Sequence, residues 1–455
     1  MPIDLQSLNK RAYLVVLILE EHCIHMKKIL LFGAGKSATC LIRYLIREIG
    51  PRDWELVVAD NNQALAQSKI GSSTRASVVA LQVENEPERE LLIRDAAIVI
   101  SLLPPALHYL VAVSCLKWNK DLLTASYLDP AIQALEPALR ERGLLFLVEM
   151  GLDPGIDHMS AMALIHRIRE KQGRILSFRS HTGGLVAPAS DNNPWHYKIS
   201  WNPRNVVLAG SAGARYKEKG QLITKEYPDL FTHCEEVAVD GIGNKLSWYP
   251  NRDSLSYIPV YGLEEAGTFI RTTLRYPAYC QGWAAIVQAG LTDDKTPLPT
   301  PSNDSLTLAA WSAPILPYVH AGNRSLLDFL GLFDKTPIPP GARVSADVLQ
   351  YLLETRLAMA PHDKDMIVML HEIAYTVEGT LYQETSRLIV IGEDPLQTAM
   401  AKTVGLPLGI AAKLMLEGKM DGLTGLHIPI LPEIYRPVLQ ELAEEGILFE
   451  EKVWS

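Results

Sequence analysis

The stretch Gly151-Leu-Asp-Pro-Gly-Ile-Asp-His158 gathers two carboxylates and a histidine around a Pro-Gly turn, directly after the apolar run GLLFLVEM. Asp153 is placed to hold a cationic nitrogen or to move a proton, and Pro154 and Gly155 stiffen the turn that carries it. Asp157 and His158 open the next apolar helix. Capping and the helix dipole explain an aspartate there equally well, and a histidine on a first apolar turn is more often packed than catalytic. Isolated arginines are a second kind of candidate. Arg252 in YPNRD and Arg275 in TTLRY stand among Tyr, Pro, Thr and Leu, which suits bidentate carboxylate binding; a structural ion pair is the alternative.

A third group binds rather than reacts. Gly33-Ala34-Gly35-Lys36-Ser37-Ala38 has G-x-G-x-x-A spacing between a strand-like and a helix-like run. Gly33 permits the tight turn, Gly35 lets a pyrophosphate approach the backbone, and Ala38 keeps the helix close to the strand. The helix N-terminus adds free N–H groups and positive potential. An NTPase phosphate loop is excluded, because the glycine it needs five residues before Gly35 is Leu30. Asp60 ends the next strand-like run, in VVADNNQ. A carboxylate there accepts bonds from ribose hydroxyls and repels a 2′-phosphate, and DNNQ offers no arginine to bind one. The expectation is NAD, with NADP less favoured; a plain turn aspartate is the alternative for Asp60.

These groups need a scaffold. KKILLFG (27–33), WELVVAD (54–60), ASVVALQV (76–83), AAIVISLL (96–103), KDLLTASY (120–127) and GLLFLVEM (143–150) are continuous apolar or β-branched runs, as in strands buried on both faces. Helical patterns lie between them, so the fold class is α/β, with a doubly wound Rossmann-type parallel sheet. Ligands of such sheets sit beyond the carboxyl ends of the strands, where SLLPP (101–105), ASYLDP (125–130) and GLDPGIDH fall. After residue 158 the texture becomes a mixed α/β region rich in Gly, Pro and Trp. LTDDKTPLPTPSNDS (291–305) reads as a linker, residues 306–360 as mostly helical, and 398–418 as two helical pieces broken at Leu406-Pro407.

The chain of 455 residues is 48% hydrophobic and 21% charged, enough for more than one core. Its net charge of −9, without a dense basic block, argues against nucleic acid as a partner. Five scattered cysteines without a CxxC pair fit a reducing compartment and give no metal signature, so no metal is expected. AYLVVLIL (12–19) is too short to span a bilayer and lacks a cleavage site after it, so neither membrane nor secretion is expected and the cytoplasm is favoured. Met26 begins MKKILLFGAG like a natural start, which makes residues 1–26 an N-terminal extension.

SLLP, TASY, GLDPGIDHM, SHTGGLVAPASDNNPWHYKISW (180–201), YPNRDS (249–254), GTFIRTTLRY (267–276), KDMIVM (364–369) and AMAKTVGLP (399–407) resemble the signatures of the saccharopine dehydrogenase family, glutamate-forming branch. The likeness runs from about Lys27 to about Leu448. It implies hydride exchange between a nicotinamide cofactor and saccharopine, giving L-glutamate and L-α-aminoadipate 6-semialdehyde or the reverse. It places substrate contacts at Ser126, Tyr127, Asp153, Arg252, Thr273, Leu274 and Arg275. Cofactor contacts fall at Ser101, Leu102, Leu103, Ala125, Ser126, Tyr127 and Leu152, beside Gly33, Ala34, Gly35, Lys36, Ser37 and Asp60. It implies a dinucleotide domain at 27–150 completed by about 395–455, a substrate domain at 151–295, and a mainly helical insertion and return at 296–394; a homodimer is compatible with it. Pro105 and His181-Thr182 depart from the family's usual Tyr and Tyr-Cys. Asp153, Tyr127 and His181 are unranked candidates for the catalytic base. Rival readings are a carboxynorspermidine- or homospermidine-type polyamine oxidoreductase, disfavoured by the two arginines, and a non-catalytic dinucleotide-binding relative, disfavoured because cofactor and substrate motifs both stand.

Overall fold

The computed structural model describes residues 26–299 and 306–455, so the expected N-terminal extension lies, Met26 apart, outside the described residues, as does the end of the expected linker. Strands β1 (Lys27–Phe32), β2 (Trp54–Asp60), β3 (Ala76–Ala80), β4 (Ile98–Ser101), β5 (Leu122–Thr124) and β6 (Leu145–Leu147) alternate with helices. They build a seven-stranded sheet in the order β16-β6-β5-β4-β1-β2-β3, all pairs parallel, with β16 (Gly425–His427) arriving from near the end of the chain. Strands β1 and β4 are neighbours, and Leu30 and Leu31 of β1 are fully buried on opposite faces, which is why these strands read as unbroken apolar runs. The order reverses beside β1, and the crevice at such a reversal receives ligands.

A second, mixed sheet of ten strands carries the middle of the chain. Its strands are β7 (Arg174–Val186), β8 (Ala214–Glu218), β9 (Gln221–Lys225), β10 (Glu235–Val237), β11 (Leu246–Pro250), β12 (Arg252–Asp253), β13 (Thr268–Arg275), β14 (Asp365–Val377), β15 (Thr380–Ile391) and β17 (Glu450–Trp454). The main path is β10-β11-β13-β7-β14-β15-β17, with β8, β9 and β12 off it. Helix Ile156–Glu170 links the two sheets and packs on the face that carries Phe178 and Phe269. A separate aromatic core, with Trp195, Tyr197, Tyr279 and Trp283 fully buried, joins helix Pro277–Gln288 to the helical segment before β14.

Near the C-terminus the chain returns to the first sheet as one helix, Ala399–Leu416, packed on helix Ala38–Ile49. The expected break at Leu406-Pro407 is absent: Pro407 lies inside the helix. Proline removes one ladder bond and crowds the preceding turn, but burial on all sides outweighs that cost. This helix is the one described segment long and apolar enough to cross a membrane, and 72% of it is buried within the fold.

Contact between the two helices depends on Gly405. A Cβ there would meet Leu41 N at 3.0 Å and Ser37 O at 3.1 Å, backbone atoms that cannot turn away. Gly405→Val should therefore lower stability by about 1–3 kcal/mol, the usual cost of overpacking, read as a shift in urea midpoint at unchanged slope. Gly243→Ala, where a Cβ meets nothing within 4 Å, is the matched control and should hardly move it.

Candidate active site

The cofactor crevice is a cavity of about 630 Å³ lined by Gly33, Gly35, Lys36, Ser37, Asp60, Leu102, Leu103, Ala125 and Ser126 from the first sheet, and by Trp201 and Asn202 from across the cleft. The residues fit a dinucleotide. Gly33 has φ +96 and its Cβ would lie 2.6 Å from Leu102 O, so only glycine closes this turn; over Gly35 there is open space on the Cβ side. Helix Ala38–Ile49 starts directly behind them and points its free N–H groups at the crevice. Ala34 and Leu152 are buried beneath, and Ser101 is sealed at the end of β4.

At the domain junction the acidic turn meets a residue not selected from the sequence. Arg271, 2% exposed on β13, gives Nη2 to Asp153 Oδ1 and to Asp157 Oδ2, each at 2.7 Å. Asp157 Oδ1 also accepts from Gly155 N at 2.6 Å, so the capping reading holds for one oxygen and an ion pair for the other. Tyr127 donates its hydroxyl to Asp153 Oδ1 at 3.0 Å. Its ring has Arg252 at 4.8 Å and Arg271 at 5.9 Å.

The two carboxylates part company. Burial and the nearby Asp157 charge push Asp153 up despite Arg271. Burial also pushes on Asp157, but His158, Arg271 and the Gly155 N–H outweigh it and hold that carboxyl below its usual range. Asp157 is thus held as the anion, whereas Asp153, 12% exposed, is the carboxyl that its surroundings drive toward the protonated form. Burial raises the Tyr127 phenol, which therefore stays protonated and acts as a donor.

Behind this pair lies Glu149, nearly fully buried and at φ +58. It accepts from Leu128 N (2.9 Å) and Tyr257 Oη (3.1 Å), and its Oε2 is 2.8 Å from His158 Nε2. His158 Nδ1 lies 2.6 Å from Tyr261 Oη, and Tyr257 in turn spreads under the Arg271 guanidinium at 4.5 Å. His158 is the packed histidine expected. Glu149 and Tyr257 left no motif to find, but Arg271 did: it lies in the quoted GTFIRTTLRY, and even spacing on a strand puts it on the same face as Thr273 and Arg275.

The other candidates scatter. Arg275 is buried with its guanidinium 5.3 Å from the ring centres of both Tyr197 and Tyr279, and its Nε has no partner among the described residues. Thr273 pairs in register with Tyr249, and the Leu274 carbonyl accepts from Arg275 Nη1 at 2.7 Å. Arg252 is exposed at φ +51. His181 is a correction. It pairs with Thr272, not Arg271, and so faces the opposite side of the sheet from Asp153, fully buried between Thr272 Oγ1 (2.7 Å) and Glu372 Oε2 (3.0 Å).

Comparison with known proteins places this geometry. Models of the saccharopine dehydrogenase NADP binding domain and of the saccharopine dehydrogenase C-terminal domain match residues 29–147 and 151–447. The saccharopine dehydrogenase [NADP(+), L-glutamate-forming] of Saccharomyces cerevisiae is 32% identical, over 94% of this chain and 99% of its own length. The α-aminoadipic semialdehyde synthase of Bos taurus, a mitochondrial protein, is 33% identical over 93% of this chain, and the chain spans about half of it, 47%. An apo structure of the Saccharomyces cerevisiae dehydrogenase superposes with a TM-score of 0.84 at 31% identity, covering 94% of this chain and all of that one. A homospermidine synthase from Legionella pneumophila shares the fold alone, at TM-score 0.55 and 10% identity.

These findings overturn the expectation of NAD. The matching domain is an NADP binding domain, and the fungal dehydrogenases are named for NADP(+). The inference from Asp60 fails for a physical reason. Asp60 Oδ2 accepts from Ala34 N at 2.6 Å and Oδ1 from Asn62 N at 2.7 Å, so the carboxylate braces its own turn. Cations come from elsewhere in sequence: Lys36 lines the crevice, and Lys69 reaches Gly35 O at 2.5 Å.

Removing Arg271 strands two buried carboxylates. Arg271→Met should cost about 3–5 kcal/mol of unfolding free energy in urea, the range for breaking a buried ion pair from one side, whereas Arg271→Met with Asp153→Asn and Asp157→Asn should recover much of it. Stability should also fall in acid. Burial lowers the folded pKa of His108 and of His371 to about 4, from 6.5. The unfolded chain therefore binds more protons between those values. Stability should drop as pH falls through that window, by up to about 1.4 kcal/mol per pH unit for each ring, and level off for them below it. A urea midpoint that stays flat from neutral pH to about pH 5 would contradict this.

Proposed function

The chain belongs to the saccharopine dehydrogenase family, and we propose that it is an NADP-dependent, L-glutamate-forming saccharopine dehydrogenase, interconverting saccharopine with L-glutamate and L-α-aminoadipate 6-semialdehyde. The observation that carries this reading is the junction itself. A dinucleotide crevice opens beside a carboxylate with a raised pKa, and Arg275, whose Nε has no partner among the described residues, lies on the same face of β13 as Arg271. Residues Gly33, Gly35, Lys36 and Ser37 would hold the NADP phosphates. When bound, NADP supplies the hydride acceptor for the carbon that carries the secondary amine.

The chain's own groups handle charge and protons. Asp153 lies where it can take the proton of the secondary amine, which must be lost for a C=N bond to form; once it has passed that proton to solvent it is again a carboxylate and can draw a proton from the water that splits that bond. Tyr127 and Arg271 keep it oriented. Arg275 and Arg252 are suited to two of the substrate's carboxylates, Arg275 from a desolvated aromatic box and Arg252 from the open side. Thr273 shares the face of Arg271 and Arg275, Ser126 lines the crevice, and Leu274 turns its side chain to the opposite face, which leaves its backbone as the part that would meet substrate.

Purified protein with saccharopine and NADP should generate NADPH and glutamate; absence of both, with a folded protein that binds NADPH, would reject the substrate. Arg275→Ala should weaken kcat/KM for saccharopine by roughly thirty- to several-thousand-fold, matching the about 2–5 kcal/mol lost with one partner of a desolvated pair, and Arg252→Ala, whose guanidinium is exposed, should weaken it less, while NADPH affinity hardly moves in either. Arg→Lys should restore only part, since an ammonium lacks the fork. Asp153→Asn should remove the acid limb of the kcat/KM profile along with most of the rate; an unchanged limb would assign the base elsewhere.

A further inference from the structure

His108 has no place in the scheme above, yet it is wired into it. It opens helix His108–Lys117, is 2% exposed, and bridges two hydroxyls: Nδ1 is 2.8 Å from Ser101 Oγ and Nε2 is 2.7 Å from Ser126 Oγ. Ser101 ends β4 and is fully buried, while Ser126 is half-buried and lines the cofactor crevice. The two serines differ in what their hydrogens can reach, and that difference assigns the ring.

The Ser101 hydroxyl has His108 as its one side-chain partner among the described residues. A buried O–H without an acceptor is costly, so the hydroxyl donates and Nδ1 accepts. A neutral imidazole carries one donor and one acceptor, so its proton sits on Nε2 and is donated to Ser126 Oγ. The ring is neutral because burial brings its pKa down to about 4. The Ser126 hydrogen is then left for the crevice. Among the described residues Ser126 Oγ has no other partner, so its hydroxyl seeks an acceptor on a ligand. The next residue is Tyr127, which carries Arg252 over its ring, so the anionic end of a substrate is the acceptor nearest to hand.

We propose that His108 is a positioning residue that fixes the Ser126 hydroxyl as a hydrogen-bond donor to a substrate carboxylate. The inference rests on the saccharopine reading for the identity of that carboxylate but not for the tautomer. The other oxygen of similar chemistry within reach of such a crevice is the carboxamide oxygen of the nicotinamide, and the test separates the two.

Glutamine places an amide N–H where Nε2 stands, whereas asparagine places it nearer Nδ1. His108→Gln should keep the KM for saccharopine within a few-fold of the parent. His108→Asn should raise it about ten- to a hundredfold, with kcat less affected and NADPH affinity unchanged. Equal KM values for the two variants, or a loss that falls on NADPH affinity instead, would overturn the assignment. Nitrogen NMR of the unsubstituted protein decides the tautomer without substrate and without a variant that must fold. A protonated Nε2 and a bare Nδ1 support the proposal, and the reverse overturns it. Should saccharopine prove inert, the function reading fails while the NMR result still judges the His108–Ser126 pair.

Discussion

The site is organised by one buried guanidinium that has to satisfy two carboxylates. Arg271 is taken out of water on a strand interior, and ion pairing, helped by the Tyr257 ring beneath it, makes that tolerable. Its charge draws Asp153 and Asp157 to within hydrogen-bond reach of one nitrogen, so the acidic turn is pinned to β13 of the second sheet. Two like charges there cannot be equally comfortable. Asp157, with the Gly155 N–H and His158 in addition, takes the ionised role, which leaves Asp153 as the carboxylate with the raised pKa. The asymmetry of the pair follows from burial, from the charges of His158 and Arg271, and from the extra Gly155 N–H on Asp157.

The same guanidinium couples the domains. Tyr257 lies under it and donates to Glu149, which comes from the end of the first sheet and also receives Leu128 N. Glu149 adopts φ +58, an unfavourable conformation for a residue with a side chain, and persists because three partners, Leu128 N, Tyr257 Oη and His158 Nε2, hold its carboxylate. The strain sits where crevice and acidic turn must meet.

How far the sequence disclosed this depends on the physical signal each part leaves. Parallel strands buried on both faces print long apolar runs, and the first six strands of the first sheet were legible for that reason, as was the glycine turn with its strand and helix; β16, three residues long, printed no run and was missed. The second sheet is mixed and half its strands are short, so its runs blurred. Face assignment on a strand needs the register, and without it His181 read as a site residue although a one-residue step turns it to the far side. The reverse error hid Arg271, which shares a face with Arg275 in the same quoted stretch. Pro407 read as a break because a proline's local cost is visible in sequence and the burial that overrides it is not. Asp60 failed in a related way: its position after the second strand was read correctly, but position does not reveal that both oxygens are occupied by Ala34 and Asn62.

Arg271 and Arg275 sit four residues apart on one strand face and illustrate how a protein divides like residues between structure and function. Arg271 has its counter-charges built in, and removing it harms the fold first. Arg275 is as deeply buried but meets tyrosine rings, the carbonyl of its own neighbour and no carboxylate, and its Nε goes without a partner among the described residues. Aromatic faces soften the desolvation of a guanidinium without neutralising it. Burying a cation among rings costs free energy that a counter-anion would offset. An arginine with carboxylate partners therefore holds the fold together, and an arginine held in a box of rings keeps its charge open to a ligand anion. On the proposed reading that entrant is a carboxylate of saccharopine, and the spacing between the two arginines sets how far it lies from the proton-exchanging Asp153.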